Sequence, residues 1–262
     1  MNLNLENKRA LVCGSTQGIG KATAIELAQL GASIVLVARN EAKLQEVANE
    51  LDTSKGQQHD YIAADFSEPY ELDLRVRTYL EQLEEVHILV NNTGGPPGGP
   101  ITEAEPDEFL GAFNQHLICD HLLVQAVSPL MKKAGYGRII NIISTSVKQP
   151  LHGLGVSNTI RGAVASWAKT MANELGQYGI TVNNVLPGST RTGRLDSIIE
   201  SRAQKSGTSV ESIEEAMMAE IPARRFATPE EVAAAAAFLA TPAAGYINGT
   251  SLPVDGGRIG CL

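Results

Sequence analysis

Cysteine is scarce in this chain, aromatic residues are few, and no apolar run is long. The 262 residues include three cysteines, Cys13, Cys119 and Cys261, far apart and without CxxC spacing. This excludes a disulfide framework and a cysteine-built metal site, and it suits reduced thiols in a cytosolic protein. Cys13 sits in an apolar run and reads as a small core residue rather than a reactive thiol. The most apolar later stretch, Val232 to Ala240, is too short to span a bilayer. The opening MNLNLENKRALVCGS lacks the basic and apolar regions of a signal peptide. A soluble cytoplasmic protein is expected, with no membrane partner and no metal. Positive charge is also short, with 21 Lys and Arg against 29 Asp and Glu and a formal net charge of -8. That speaks against a nucleic-acid surface, while a few local donors would still hold an anionic small molecule.

What is present is apolar residues, 43% of the chain, in a repeating order. Arg9 to Cys13 is a short apolar run ending at Gly14, followed by a helical pattern closed by Gly31. Then come SIVLVA, a polar helix from about Glu41 to Leu51, YIAAD, a helix up to about Leu83, and HILVNN. Further strands are expected at Arg138 to Ser144, Ile180 to Leu186 and Thr250 to Val254. Alternating short strands and amphipathic helices predict a doubly wound α/β domain, a Rossmann-type seven-stranded parallel sheet covered on both faces.

Two segments break this rhythm. Gly94 to Pro100, GGPPGGP, leaves the end of a strand, where doubly wound sheets form their ligand crevice. It reads either as a site loop, stiffened by proline with glycines for tight turns, or as a plain surface turn. A polar insertion at about 191–220 would be either a mobile lid over a substrate or a fixed pair of helices.

The sharpest motif is Gly14-Ser15-Thr16-Gln17-Gly18-Ile19-Gly20, after a strand and before a helix. Gly14 would permit the tight turn, Gly18 the approach of a pyrophosphate, and Gly20 close helix–strand packing. The helix N-terminus offers free N–H donors to that anion. The second strand ends in Ala38-Arg39-Asn40, with no acid to bind a ribose 2′-hydroxyl. Arg39 would instead meet a 2′-phosphate, which favours NADP(H) over NAD(H). Asp65 would either accept from an adenine amino group or cap the next helix.

These pieces, with NNTG at Asn91 to Gly94, GRIINIIS ending in Ser144, ITVNNVLPG ending at Gly188, IPARRFATPEEVAAAAAFLA and GYINGTSLPVDGG, resemble the short-chain dehydrogenase/reductase family over nearly the whole chain. The resemblance is to a divergent member, similar to the 3-oxoacyl-ACP reductases. It implies that Asn91 to Gly94 shape the cofactor crevice, that Pro187-Gly188 lies beside the nicotinamide, and that the chain forms a homotetramer or homodimer. It also implies a small-molecule substrate.

The family's catalytic serine corresponds to Ser144. Its tyrosine, thirteen residues on, is here Ser157, and its lysine, four residues later, is Arg161. Its supporting asparagine, twenty-eight residues before Ser144, is His116. The YxxxK pair is therefore absent. A serine hydroxyl is a far weaker acid than a phenol, and Arg161 keeps its charge without relaying a proton. Arg161 would bind ribose hydroxyls or a substrate anion. His116 would serve as a replacement general acid or merely pack within its helix, and His152 is a second candidate with a surface-loop alternative. Two functions stay open. One is an NADP(H)-dependent oxidoreductase with a rearranged acid. The other is a cofactor-binding protein of the same fold without reductase activity: a sensor, a scaffold or a non-redox enzyme.

Overall fold

The computed structural model describes residues 1–261. Seven parallel strands form one sheet in the order β3-β2-β1-β4-β5-β6-β7. They are β1 (Arg9–Cys13), β2 (Ser33–Ala38), β3 (Asp60–Ala63), β4 (Ile88–Asn91), β5 (Gly137–Ile142), β6 (Ile180–Pro187) and β7 (Ser251–Val254). The strands read as unbroken apolar runs because both faces are covered. In β1, Ala10 and Val12 enter one core while Leu11 and Cys13 enter the other. The first core is roofed by α1 (Gly18–Gln29), α2 (Glu41–Glu50) and α9 (Pro229–Ala240). The second is roofed by α3 (Pro69–Leu80), α5 (Cys119–Ala134) and α6 (Gly155–Leu175). Cys13 and Cys119 are buried thiols and Cys261 is exposed.

The sheet order reverses between β1 and β4, so the chain leaves those two strands toward opposite faces. A crevice opens there beyond their carboxyl ends. Helix α4 (Pro106–Phe113) runs into α5 through one wide π turn, Asn114–Ile118. Such turns displace side chains from the regular helical face, and this one carries His116. The insertion forms α7 (Gly193–Ser206) and α8 (Val210–Ala219). These two helices share a small core of their own, Leu195, Ile199, Met217, Ile221 and Phe226. Among the described residues no helix is long and apolar enough to cross a membrane.

Candidate active site

The crevice has a backbone-built end and a side-chain-built end. At the first, Gly14 and Gly18 adopt φ of 58° and 54°, the left-handed region that costs other residues strain. A Cβ on Gly14 would lie 2.5 Å from the Asn92 carbonyl oxygen, and one on Gly20 would run into the Gly14 carbonyl. Asn92, in the NNTG segment, is the clamp of this turn. Its amide donates to the carbonyls of Cys13 at 3.2 Å and Gly14 at 3.3 Å. Ser15 is fully buried, and Thr16 and Gln17 lead into α1.

Helix α1 starts without a side-chain cap, whereas Asn40, Thr192, Ser209 and Thr228 cap α2, α7, α8 and α9. Uncapped first-turn amides beside left-handed glycines are what a diphosphate needs, so these residues fit a dinucleotide. Thr192 roofs the loop, its Cγ2 3.2 Å from where a Gly18 Cβ would stand. Ile19 packs against the first core. Arg39 is 75% exposed, with Nη1 3.8 Å from Asp65 Oδ2. Asp65 Oδ1 accepts the Ser67 amide at 2.9 Å. Asp65 thus fixes the turn before α3 rather than capping the helix, whose cap position is Glu68. At the far side, the Gly188 amide donates to the Val254 carbonyl at 2.9 Å, tying Pro187-Gly188 to β7.

The Asn91 side chain runs sideways within the sheet. Asn91 donates to Asn141, Asn141 to Asn184, each at 2.9 Å, and Asn184 to Ser251 at 3.1 Å. The four residues are register neighbours across β4, β5, β6 and β7. Asn91 Oδ1 is buried without a partner among the described residues.

At the second end, Ser144 stands just past β5 and its Oγ accepts the Ser146 amide at 3.1 Å, leaving its proton free to donate. Ser157 is half-buried in the first turn of α6, and its hydroxyl bonds to no protein group among the described residues. Arg161, one turn on, is buried. Its guanidinium donates to the carbonyls of Ile142 at 3.1 Å and Thr93 at 3.5 Å. Burial draws it down to about 10, with Asp120 pulling up and Arg194 pulling down, so it remains a cation near neutrality.

His116 is 1% exposed. Its Nδ1 is hydrogen-bonded to Thr93 Oγ1, and Nε2 has no partner among the described residues. Burial, then the Arg161 charge, hold the imidazole down to about 2, so it is neutral throughout the working range. Thr93 therefore joins His116 on one side to Arg161 on the other. Asp120, one turn beyond His116, is buried too. Burial raises its carboxyl well above the usual range, with Arg161 opposing.

His152 is exposed and lines a cavity of about 650 Å³ between Pro100–Thr102, Pro150 and the start of α6. The Asn158 amide grips this loop, donating to the Leu151 carbonyl at 2.9 Å. The GGPPGGP loop is stapled at two points. The Gly99 amide donates to the Gly153 carbonyl at 2.8 Å, and Arg194 donates to the Pro96 carbonyl at 2.6 Å. Its glycines, Gly94 among them, keep ordinary φ. Tight turning is therefore not their use. Close approach is required only at Gly98, where a Cβ would come 3.0 Å from the Gly153 carbonyl oxygen, while Gly94 and Gly99 have open space.

Comparison with known proteins places this geometry. A family model described as "Enoyl-(Acyl carrier protein) reductase" matches residues 14–258. The chain is 33% identical to the 7alpha-hydroxysteroid dehydrogenase of Escherichia coli over 98% of its own length and 96% of that protein. It is also 33% identical to the 3-oxoacyl-[acyl-carrier-protein] reductase of Vibrio cholerae, over 97% and 98% of the two chains. Among solved structures it is similar to L-sorbose reductase from Gluconobacter frateurii complexed with NADPH and L-sorbose. That match has a TM-score of 0.93, 31% identity and 100% coverage of both chains. This chain belongs to the short-chain dehydrogenase/reductase family.

Proposed function

We propose that this NADP(H)-dependent oxidoreductase interconverts a carbonyl and a hydroxyl on a small substrate, using Ser144, Ser157 and Arg161 in place of a tyrosine–lysine pair. One observation carries the reading. The uncapped glycine-loop start of α1 faces, across the β1–β4 switch, two free hydroxyls and a buried cation.

NADP(H), when bound, supplies or takes the hydride. The chain's residues manage the oxygen. Ser144 donates its free proton to the substrate oxygen, since its lone pair is already engaged by the Ser146 amide. Ser157 offers the second hydroxyl. The fixed charge of Arg161 stabilises negative charge growing on that oxygen, an effect strengthened by burial. Neither serine is acid enough to lose its proton outright, so both relay one from solvent water. His116 does not act as an imidazolium. Its neutral ring positions Thr93, which in turn holds Arg161. Arg39, exposed just past the end of β2, would meet the 2′-phosphate. The activities of the relatives, a hydroxysteroid dehydrogenase, a 3-oxoacyl-[acyl-carrier-protein] reductase and an L-sorbose reductase, support carbonyl chemistry and span the substrates to be screened.

The test is fluorescence titration with NADPH and NADH, followed by turnover on a panel of acyl thioesters, sugars, diketones and oxo acids. The expected result is tighter NADPH than NADH binding, and turnover of at least one carbonyl. Tight NADPH binding without turnover, with activity appearing only after Ser157→Tyr and Arg161→Lys together, would instead support a cofactor-binding protein without redox chemistry.

A further inference from the structure

Two guanidinium groups at this crevice have no carboxylate to answer them. Among the described residues, neither Arg161 nor Arg194 has a carboxylate oxygen within ion-pair distance. Three arginines of the same region do. Arg191 pairs with Glu214 and lies 3.7 Å from Asp196, Arg225 is 2.5 Å from Glu231, and Arg258 is 2.6 Å from Glu220. Asp196, Glu214 and Glu220 are thus already engaged by other arginines.

Both free cations converge on one loop. Arg161 reaches the Thr93 carbonyl from below, and Arg194, in the first turn of α7, reaches the Pro96 carbonyl from above. The Arg194 fork lies along Gly95, where a Cβ would come within 3.5 Å of Nη2. A side chain at that position would crowd the fork. Arg194 is otherwise exposed and Arg161 is 7% exposed. Arg194 is near enough to act on Arg161, and Asp120, the acid that acts on it, is biased by its own burial toward the neutral acid. Like charges brought together, one of them out of water, are unfavourable until an anion joins them. The planar fork of arginine matches a carboxylate through two parallel bonds.

We propose that Arg194, with the fixed charge of Arg161 behind it, recognises a carboxylate on the substrate, so that the substrate is an oxo acid or hydroxy acid. The proposal rests on the reading above for where the reacting carbon lies, at Ser144. It does not rest on it for the anion site. Arg194 is a specificity residue: it takes no part in moving the proton or the hydride.

The experiment is calorimetry of the full chain, with and without NADP⁺, using malonate and 2-oxobutanoate against their uncharged amides. The acids bind and the amides do not. Arg194→Gln weakens the acids about tenfold or more, the loss expected for a charge-assisted bond. Arg202→Gln, removing the same charge from elsewhere on α7, changes them less than twofold. NADPH titration of Arg194→Gln stays within twofold of the unaltered chain. Amides that bind as well as the acids, no acid uptake at tens of millimolar, or equal effects of the two variants would each overturn the proposal. So would a matching loss of NADPH affinity, which would make Arg194 a contact to the cofactor diphosphate. A chain that takes up no NADPH would end the redox reading, while acid binding by the cofactor-free chain would still decide this one.

Discussion

The corner between β1 and α1 and the corner between β5 and α6 face each other across one crevice, but they are made differently. The first is built from backbone. Its donors are peptide N–H groups, and its side chains are mostly absent ones. The second is built from side chains, those of Ser144, Ser157, Arg161 and His116. A backbone site tolerates sequence change as long as its glycines stay, because every residue carries the same donor. A side-chain site changes its chemistry with each substitution. The first corner therefore bears sequence change more easily than the second.

The comparison breaks most sharply at Gly20. Replacing it with valine drives a side chain into the Gly14 carbonyl and the Asn92 amide. NADPH affinity should fall more than about a hundredfold in fluorescence titration. The urea midpoint should fall too, by an overpacking cost of about 1–3 kcal/mol. At the other corner, Ser144→Ala should lower kcat/KM about a hundredfold, the scale of losing one oxygen-stabilising donor, while NADPH titration stays unchanged. Equal damage to both quantities would show that the two ends are not separable.

A smaller effect concerns pH. The native ring of His116 takes no proton until about 2 and that of His87 until about 4, whereas both would protonate near 6.5 when unfolded. Below 6.5 the unfolded chain therefore holds more protons, and stability falls as pH falls through that window. Urea midpoints should drop from pH 6.5 toward 4, and His116→Gln should flatten the drop. Activity should show no step from His116 between pH 5 and 8. The smallest expected change is Arg39→Ser, an exposed cation. It should weaken NADPH about fivefold, in keeping with a surface charge pair, and leave NADH untouched.

The same division governs how far the sequence could be read. The seven strands and their flanking helices follow from local pattern: SIVLVA is buried on both faces, and GSTQGIG marks its own turn. The absence of the YxxxK pair is also visible in a line of letters. The contacts that give the catalytic corner its meaning are not. Asn92 clamps a carbonyl 78 residues before it, and Arg194 reaches a loop 98 residues before it. The burial of His116 depends on a π turn that no spacing announces. Its neutral ring, and hence its unsuitability as an imidazolium acid, appears only once the core has closed around it. Asp65 shows the same limit at small scale. Its carboxylate read as either an adenine contact or a cap for the next helix, and of these the cap is not formed, since Oδ1 accepts the Ser67 amide instead.

The row of amides from Asn91 to Ser251 has a direction. Each NH₂ points toward the last strand, so the dipoles add head to tail and the unshared lone pair is left at Asn91. A carboxamide can turn over and exchange its oxygen for its nitrogen, and three in-register neighbours, Asn91, Asn141 and Asn184, would have to turn together. Ser251 ends the row, its hydroxyl accepting from Asn184. The negative end of the row thus lies at β4, under the crevice.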